Sequence, residues 1–484
     1  MPAKSIMIQG TMSNAGKSVL AAGLCRIFRQ DGYKVAPFKS QNMALNSFIT
    51  AQGLEMGRAQ VMQAEAAGVE PTVEMNPILL KPTSDVGSQV IVNGRAVGNL
   101  TASEYFRQKS QLIPQVMEAY HTLEEQYDIV VLEGAGSPAE INLKSQDIVN
   151  MGLARMVGAP VLLAGDIDRG GVFAALYGTM ALLEAEECPY VKGTIINKFR
   201  GDVELLRPGL TQLEELCKVP VVGVVPWMNL DLDEEDSLSS RLGAQGGKAP
   251  LDVAVIRLPR ISNFTDFDPL QRHPAVGLRY VDRAEELGRP DLVILPGTKS
   301  TLADLRWLRQ CGLEAAILKL ASRGTPVTGI CGGYQMLGRK LSDPLGVEGG
   351  GSMDGMGLLD ITTVFSSEKT TTRTTCLFPE CRGLLASLSG CPLEGYEIHM
   401  GQSEALFTVS GSVLGTYLHG LLDSPQLVER LVCLLMEEKG LHWDGEAPKE
   451  TLWSYKQRQY DKLAQTLRES LDLKKIYEIV ERGV

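Results

Sequence analysis

The chain has 484 residues, of which 44% are hydrophobic and 22% charged, as is usual for a globular enzyme of about three domains. Its net charge of −11 argues against a nucleic-acid-binding protein, which needs a basic face, and no apolar run approaches the roughly 18 residues of a membrane span. The nine cysteines include no CxxC pair, and the N-terminus has no cleavable apolar segment. We therefore expect a cytoplasmic protein with reduced thiols and without nucleic-acid or membrane partners.

The first predicted elements are a strand, "SIMIQ", a glycine-rich loop, "GTMSNAGKS", and a helix, "VLAAGLCRIFRQDG". A loop that opens a helix presents backbone N–H groups without acceptors, and these bind anions. In such a loop Lys17 would reach the terminal phosphates of a nucleotide and Ser18 would bind magnesium. Five residues, where four are usual, separate Gly10 from Gly16. A simple glycine turn before an ordinary helix is the alternative.

Several later apolar runs of the first half end in polar residues. "YDIVVLE" reaches Glu133, "APVLLAGD" reaches Asp166, "VKGTIINK" contains Asn197, and Lys39 follows the strand "KVAP". Such runs, separated by helical segments, indicate a parallel sheet that binds ligands beyond the carboxyl ends of its strands. We expect Glu133 to face magnesium and Lys39 to lie near the phosphates; Glu65 is a second metal candidate. Solvated strand ends are the alternative for each.

The segment "DLDEEDSLSSRLGAQGGKAP", residues 231–250, is acidic and then rich in serine and glycine, which predicts a linker. A new strand, "LDVAVIRL", begins directly after it. The predicted organisation is therefore a first α/β domain at 1–230, a second α/β domain at 251–440, and a helical C-terminal tail at 441–484.

A thiol marks the second domain, because "TPVTGICGGYQMLG" places Cys331 between a strand and a helix. At such a turn the sulfur is accessible, the next backbone amide, that of Gly332, can stabilise an oxyanion, and the helix N-terminus favours thiolate. A thiol nucleophile needs a base. His419, at the end of "SVLGTYLH", is favoured over His399 of "GYEIHMG", and a structural histidine is the alternative for either. The pattern predicts attack on an amide or ester.

"GICGGYQMLG" resembles the nucleophile turn of class I glutamine amidotransferases, and "GTMSNAGKS" with "VVLEGAGSPAE" resembles the ATP-binding domain of the dethiobiotin synthetase group. In this order, with "FKSQNMALNS", "GRAQVMQAEAAG", "LPGTKST", "YEIHMG" and "TYLHG", they resemble cobyric acid synthases of cobalamin biosynthesis, from about residue 5 to 440. The resemblance implies an α/β chain with a P-loop parallel-sheet domain followed by a class I glutamine amidotransferase domain.

The activity that the resemblance implies is an ATP- and glutamine-dependent amidation of a corrinoid. The b, d, e and g carboxylates of adenosylcobyrinic acid a,c-diamide would become amides, giving adenosylcobyric acid. Each carboxylate would pass through an acyl phosphate, which ammonia released from glutamine then attacks. The implied ligands are ATP, Mg²⁺, glutamine and the corrinoid.

The resemblance also assigns residues. Cys331 would attack glutamine, with His419 as acid and base. Gly297 and Gly332 would supply the oxyanion amides, and Gln335 would lie beside the glutamine. The implied ATP-binding residues are Gly10, Thr11, Asn14, Ala15, Gly16, Lys17, Ser18, Lys39 and Asn197, with Ser18 and Glu133 on the magnesium ion.

One position departs from the amidotransferase pattern, which usually has a glutamate two residues after the histidine. Here that residue is Leu421. The unit would be a Cys–His dyad unless another acid, such as Asp423, orients the ring, and the sequence leaves this role open.

Four other protein classes are alternatives. A cobyrinic acid a,c-diamide synthase shares the architecture but is expected to differ in the segment "FKSQNMALNS". CTP synthase keeps the histidine–glutamate pair that Leu421 breaks, and MinD- and ParA-type ATPases carry an additional early lysine where this chain has Thr11 and Met12. A corrinoid-binding protein without activity would need neither the GKS loop nor Cys331. The sequence makes no prediction of oligomeric state.

Overall fold

The computed structural model of the chain describes residues 2–83, 87–232, 249–443 and 450–484. Most of the predicted linker, residues 233–248, lies outside the described residues. The helices are α1 Lys17–Gln30, α2 Arg58–Ala67, α3 Ala102–Gln108, α4 Ile113–Gln126, α5 Met151–Val157, α6 Val172–Leu182, α7 Val203–Cys217, α8 Asp268–Gln271, α9 Ala284–Leu287, α10 Thr301–Gln310, α11 Leu313–Ala321, α12 Gly332–Leu337, α13 Pro425–Glu438, α14 Leu452–Ser470 and α15 Leu473–Arg482.

The strands of the first half are β1 Lys4–Gly10, β2 Val35–Phe38, β3 Gln41–Met43, β4 Ser47–Ile49, β5 Glu55–Gly57, β6 Ile78–Pro82, β7 Gly87–Val92, β8 Arg95–Thr101, β9 Ile129–Glu133, β10 Val161–Asp166, β11 Val191–Phe199 and β12 Val221–Pro226. Those of the second half are β13 Leu251–Ile256, β14 Val276–Val281, β15 Leu292–Leu295, β16 Val327–Ile330, β17 Lys340–Asp343, β18 Gly351–Asp354, β19 Thr362–Leu377, β20 Pro392–Gln402, β21 Phe407–Ser410 and β22 Val413–Thr416.

The centre of the first domain is a parallel sheet in the order β12-β11-β10-β1-β9-β2. Its middle strands are buried along their length because their apolar side chains enter a hydrophobic core on each face of the sheet. All strands of a parallel sheet end at one edge, so β1, β9 and β11 bring the P-loop, Glu133 and Asn197 together there. The predicted parallel α/β fold of this half is confirmed.

The last two helices of the chain pack on this first sheet. Their apolar side chains, among them Leu463, Leu467 and Ile476, belong to the same core as Ile8 of β1 and Leu24 of α1. The contact is close: a Cβ atom on Gly23 would lie 2.2 Å from the Leu467 Cδ1 atom. The segment predicted as a C-terminal tail therefore covers one face of the first domain.

A second sheet, in the order β14-β13-β15-β16-β22-β21, forms the other domain, and every pairing in it is parallel except that of β21. Hydrophobic cores again lie on both faces. Because these strands are parallel, the carboxyl ends of β13, β15, β16 and β22 lie at the same edge of the sheet. The second α/β fold is also confirmed.

Two smaller sheets lie beside the large ones. The order β3-β6-β7-β8 belongs to the first half of the chain and β18-β17-β19-β20 to the second. Short strands β4 and β5 pair with each other, and β4 contacts β19 and β20 of the other half. Among the described residues no helix is both long and apolar enough to cross a lipid bilayer.

Candidate active site

The glycine-rich loop joins β1 to α1, and Gly16 is the residue before the helix. Its φ angle is +92°, and a Cβ atom there would lie 2.1 Å from the Asn197 Nδ2 atom. Only glycine fits both the left-handed conformation and the close approach. The Asn197 amide donates a hydrogen bond of 2.8 Å to the carbonyl of Ala15, and Lys198 Nζ donates one of 2.6 Å to the carbonyl of Asn14. The end of β11 thus holds the loop in shape.

Lys17, the first residue of α1, folds back across the loop. Its Nζ atom donates to the carbonyl oxygens of Met12 at 2.9 Å and Gly136 at 3.0 Å. Gly10 allows this path, because a Cβ atom there would lie 3.0 Å from the Lys17 Cγ atom. The ammonium group is therefore positioned over the loop, where the phosphates of a nucleotide would lie.

Glu133, at the end of β9, is the centre of a buried polar cluster, and 1% of its side chain is exposed. Oε1 accepts hydrogen bonds from Ser18 Oγ at 2.8 Å and from Lys39 Nζ at 2.9 Å. Oε2 accepts one from Gln63 Nε2 at 2.5 Å. The structure thus brings together the predicted residues of three separate segments. Gln63, on α2, was not predicted, because amide side chains on a helix give no distinctive sequence signal.

The cluster fits a magnesium ion. In the described part of the chain no three His, Cys, Asp or Glu side chains converge as metal ligands. Mg²⁺ does not require such a group in nucleotide sites, where one or two protein oxygens act with phosphate and water. The Ser18 hydroxyl and the Glu133 carboxylate, 2.8 Å apart, are such oxygens.

The expectation that Glu65 contributes to this metal site is wrong. Its carboxylate accepts a hydrogen bond of 2.6 Å from the Tyr460 hydroxyl and lies 3.3 Å from Lys456 Nζ, both on α14. Glu65 therefore connects α2 to the C-terminal helices. Asp166, at the end of β10, pairs with Lys198 at 2.8 Å.

In the second domain, Cys331 lies between β16 and α12 with φ 52° and ψ −108°. A positive φ is strained for a residue with a side chain and costs on the order of 1–3 kcal/mol, which other contacts must offset. The two glycines that follow allow the turn. A Cβ atom would lie 2.6 Å from Thr298 Cγ2 at Gly332, and 2.0 Å from the carbonyl oxygen of Leu295 at Gly333. The helix therefore packs directly against the end of β15.

His419 and Cys331 line one cavity, as do Gln335, Thr298 and Ser262. His419 follows β22, the neighbour of β16, which explains how residues far apart in sequence meet. Its Nδ1 atom lies 2.7 Å from Oδ2 of Asp266, and both side chains are buried. The carboxylate that contacts His419 Nδ1 is thus that of Asp266, whereas the sequence had offered Asp423 for this position. Asp266 lies in the 3-10 turn Phe264–Phe267, which follows β13.

The Asp266 carboxylate changes the proton affinity of His419. Burial lowers the pKa of the imidazole, but Asp266, through its charge and hydrogen bond, and the Cys331 sulfur outweigh this effect and raise the pKa to about 10. The histidine is therefore protonated at neutral pH. An imidazolium beside a cysteine favours thiolate, the nucleophilic form of the sulfur.

The remaining residues predicted for this site lie around Cys331. Gln335 accepts a hydrogen bond of 2.9 Å from Thr301 Oγ1 and lines the cavity. Gly332 begins α12, whose first N–H groups have no acceptor within the helix. A Cβ atom on Gly297 would lie 3.2 Å from the His419 Cε1 atom. Both glycines therefore lie next to the Cys331–His419 pair. The competing histidine, His399, stacks on the Tyr417 ring with the ring centroids 3.8 Å apart.

Tyr396 contacts both His419 and a residue of the first domain. The Tyr396 ring stacks on His419, with the ring centroids 5.3 Å apart and the planes 16° from parallel. Its hydroxyl donates to the carbonyl of Ser47 at 3.1 Å and accepts from Asn263 Nδ2 at 2.7 Å. Ser47 lies in β4, eight residues after Lys39 of the Glu133 cluster. One short segment therefore connects the two sites.

Comparison with known proteins agrees with this two-site architecture. Residues 6–239 match the CobQ/CobB/MinD/ParA nucleotide binding domain, and residues 252–427 match the CobB/CobQ-like glutamine amidotransferase domain. The cobyric acid synthase of Lachnoclostridium phytofermentans is 57% identical over 514 residues, covering 100% of both chains. That of Ruminiclostridium cellulolyticum is 56% identical, with 100% of this chain and 98% of the relative covered. That of Yersinia enterocolitica is 54% identical, with 99% and 98% covered. The chain belongs to the cobyric acid synthase family.

Proposed function

We propose that the chain converts adenosylcobyrinic acid a,c-diamide to adenosylcobyric acid by amidating its b, d, e and g carboxylates. ATP and glutamine are consumed at each amidation. The observation that carries this proposal is the presence, in one chain, of the Lys17–Ser18–Glu133 cluster and the Cys331–His419–Asp266 unit. The first set suits phosphoryl transfer, and the second suits the release of ammonia from an amide.

Glutamine hydrolysis begins at the sulfur. The Cys331 thiolate attacks the carboxamide carbon, a carbon–sulfur bond forms, and the carbonyl oxygen becomes an oxyanion. Backbone amides at Gly332 and Gly297 stabilise that charge. The His419 imidazolium gives its proton to the departing nitrogen, and ammonia leaves. Water then attacks the thioester while His419 takes its proton, and the carbon–sulfur bond breaks. This releases glutamate and restores the Cys331 thiolate beside the His419 imidazolium.

Carboxylate activation takes place in the first domain. A substrate carboxylate oxygen attacks the γ-phosphorus of ATP, ADP departs, and an acyl phosphate forms. Lys17 and Lys39 carry the positive charges that stabilise the phosphoryl oxygens during transfer. Ser18 and Glu133 would hold Mg²⁺, which supplies further charge neutralisation on the phosphates when bound. Ammonia attacks the acyl carbon and phosphate leaves, completing the amide.

The test is mass spectrometry of the corrinoid after incubation with enzyme and Mg-ATP, with either glutamine or ammonium as nitrogen source. Wild type is expected to add successive amides from both sources, up to four. Cys331→Ala is expected to add them from ammonium only, because the acyl phosphate still forms. Absence of any amide from wild type with either source would contradict the corrinoid assignment.

A further inference from the structure

The cavity beside Cys331 contains charged side chains that the reaction above does not use. Besides the nucleophile and His419, it is lined by Lys81, Lys299, Glu348 and Lys369. Lys81 lies on β6 of the first domain, whereas the others belong to the second. Both domains therefore form the walls of the cavity in which Cys331 reacts.

Two of the three lysines have a carboxylate partner in the protein. Lys81 Nζ lies 2.9 Å from Glu55 Oε1, and Lys369 pairs with the other oxygen of the same carboxylate. Lys299 Nζ instead donates to the neutral Gln89 amide oxygen at 3.0 Å. Within residues 2–83, 87–232, 249–443 and 450–484, no carboxylate oxygen lies within 4.0 Å of Lys299 Nζ.

Glu348 is an anionic group on the same cavity wall, and it too forms no close ion pair among the described residues. One of its oxygens accepts a hydrogen bond of 2.6 Å from the Thr301 backbone N–H. In the described ranges, no nitrogen of a basic side chain lies within 4.0 Å of its carboxylate. Lys299 and Glu348 thus form one cationic and one anionic group on the wall of a cavity, and neither has an oppositely charged side-chain atom within 4.0 Å among the described residues.

The pKa of each group is shifted in the direction that a ligand of opposite charge would reverse. Burial, with the nearby Lys369 and Lys81 ammonium groups, lowers the pKa of Lys299 to about 7, and the Glu348 and Glu55 carboxylates offset this effect only in part. Burial raises the pKa of Glu348 to about 7, although the Lys299 charge and the Thr301 N–H act in the opposite direction. Each group therefore carries its charge at a cost that a ligand of opposite charge removes. An α-amino acid presents a carboxylate and an ammonium on a single carbon.

We infer that Lys299 and Glu348 bind the α-carbon end of glutamine, Lys299 contacting the α-carboxylate and Glu348 the α-ammonium. This inference rests on the glutaminase function proposed above. The carboxamide, at the other end of the glutamine side chain, then reaches Cys331 in the same cavity. Gln89, on β7, positions the Lys299 ammonium, so residues of the first domain contribute to glutamine recognition.

The test removes one charge from the protein and the opposite charge from the substrate. Ammonia release by the full-length enzyme is measured with glutamine, with glutaramic acid, which lacks the α-ammonium, and with 4-aminobutyramide, which lacks the α-carboxylate. The variants are Lys299→Met and Glu348→Gln; glutamine at 348 keeps an acceptor for the Thr301 N–H. Lys319→Met, at an exposed position of α11, is the matched control.

Lys299→Met is expected to lower kcat/KM about tenfold or more for glutamine and glutaramic acid. It should change kcat/KM for 4-aminobutyramide by no more than about twofold, because that substrate has no α-carboxylate for Lys299 to contact. Glu348→Gln is expected to lower kcat/KM for glutamine and 4-aminobutyramide and to spare glutaramic acid. Lys319→Met should change none of them.

Equal losses for all three amides in both variants, or no loss, would overturn the inference. Amidation driven by ammonium, followed in the same variants, is expected to persist and reports that the fold and the synthetase site are intact. A failure of the corrinoid assignment has a different signature. Wild type then makes no amide from ammonium, while hydrolysis of the three amides still tests the binding of the α-carbon groups.

Discussion

The two sites differ in how their reactive groups are held. In the glutaminase site the geometry is fixed by the backbone: Cys331 keeps a strained φ of 52°, and His419 contacts Asp266 at 2.7 Å. In the ATP site the cationic groups rest on protein acceptors, since Lys17 donates to two carbonyls and Lys39 to Glu133. A covalent nucleophile needs one fixed position. A phosphate site instead keeps its cationic side chains on protein oxygen atoms, whose place the phosphate oxygens take when the nucleotide binds.

The largest effect is expected from the ATP site, because in the proposed reaction both nitrogen sources depend on the acyl phosphate. Lys17→Met should lower amide formation by on the order of 10²–10³-fold with either glutamine or ammonium, since a charge opposite the transferred phosphoryl is lost. Product analysis by mass spectrometry measures this. Lys34→Met, at an exposed position, is the control. Normal turnover by the Lys17 variant would show that its ammonium does not act on the nucleotide.

A smaller, selective effect is expected in the glutaminase site. Asp266→Asn should reduce glutamine-dependent turnover by about 10²-fold, because the imidazole loses the group that orients it and stabilises its charge. Turnover with ammonium should be unchanged. Asp423→Asn provides the comparison, because the sequence offered that residue for the same role. Equal losses of glutamine-dependent turnover in Asp266→Asn and Asp423→Asn would contradict a special role for Asp266 beside His419.

The pH dependence of glutamine hydrolysis gives a third test. Because the pKa of His419 is raised to about 10, hydrolysis should decline only as the pH rises through that value and the imidazolium loses its proton. The same shift favours the folded state fully below about pH 6.5, the usual histidine value, and this contribution disappears as the pH rises through 10. Asp266→Asn should move the alkaline decline to lower pH. An unchanged decline would show that another group titrates there.

The smallest expected effect concerns stability. Leu467→Ala on α14 leaves a cavity against Gly23 of α1 and should lower the free energy of unfolding by about 2–5 kcal/mol. Urea unfolding measures the change. Leu205→Ala, at a side chain that is 84% exposed, should alter it by about 0.5 kcal/mol or less. Equal stability of the two variants would mean that the C-terminal helices add little to the first domain.

Features that lie within one short segment could be predicted from the sequence. The glycine-rich loop and the turn at Cys331 each join a strand to a helix, so local spacing contains the whole feature. Asp266 could not be predicted in this way. It reaches His419 only because β13, β15, β16 and β22 end at the same edge of one sheet, and no sequence spacing encodes that strand order.

The error at Glu65 has a geometric cause. Gln63 and Glu65 are two residues apart on α2, and such residues point about 200° apart around a helix axis. When Gln63 faces Glu133, Glu65 must face the opposite side, where α14 lies. The pattern of the last segment predicted helices, but an amphipathic stripe does not say which surface it covers.

The return of α14 and α15 to the first sheet has a consequence for how the protein is made. The chain leaves the ribosome from its N-terminus, and domains generally fold as they emerge. Residues 252–427, the whole amidotransferase match, are synthesised before α14 and α15, which cover Ile8, Leu24 and their neighbours. Throughout that interval the nascent first domain keeps an uncovered apolar face, so its folding is completed only after α14 and α15 have been synthesised.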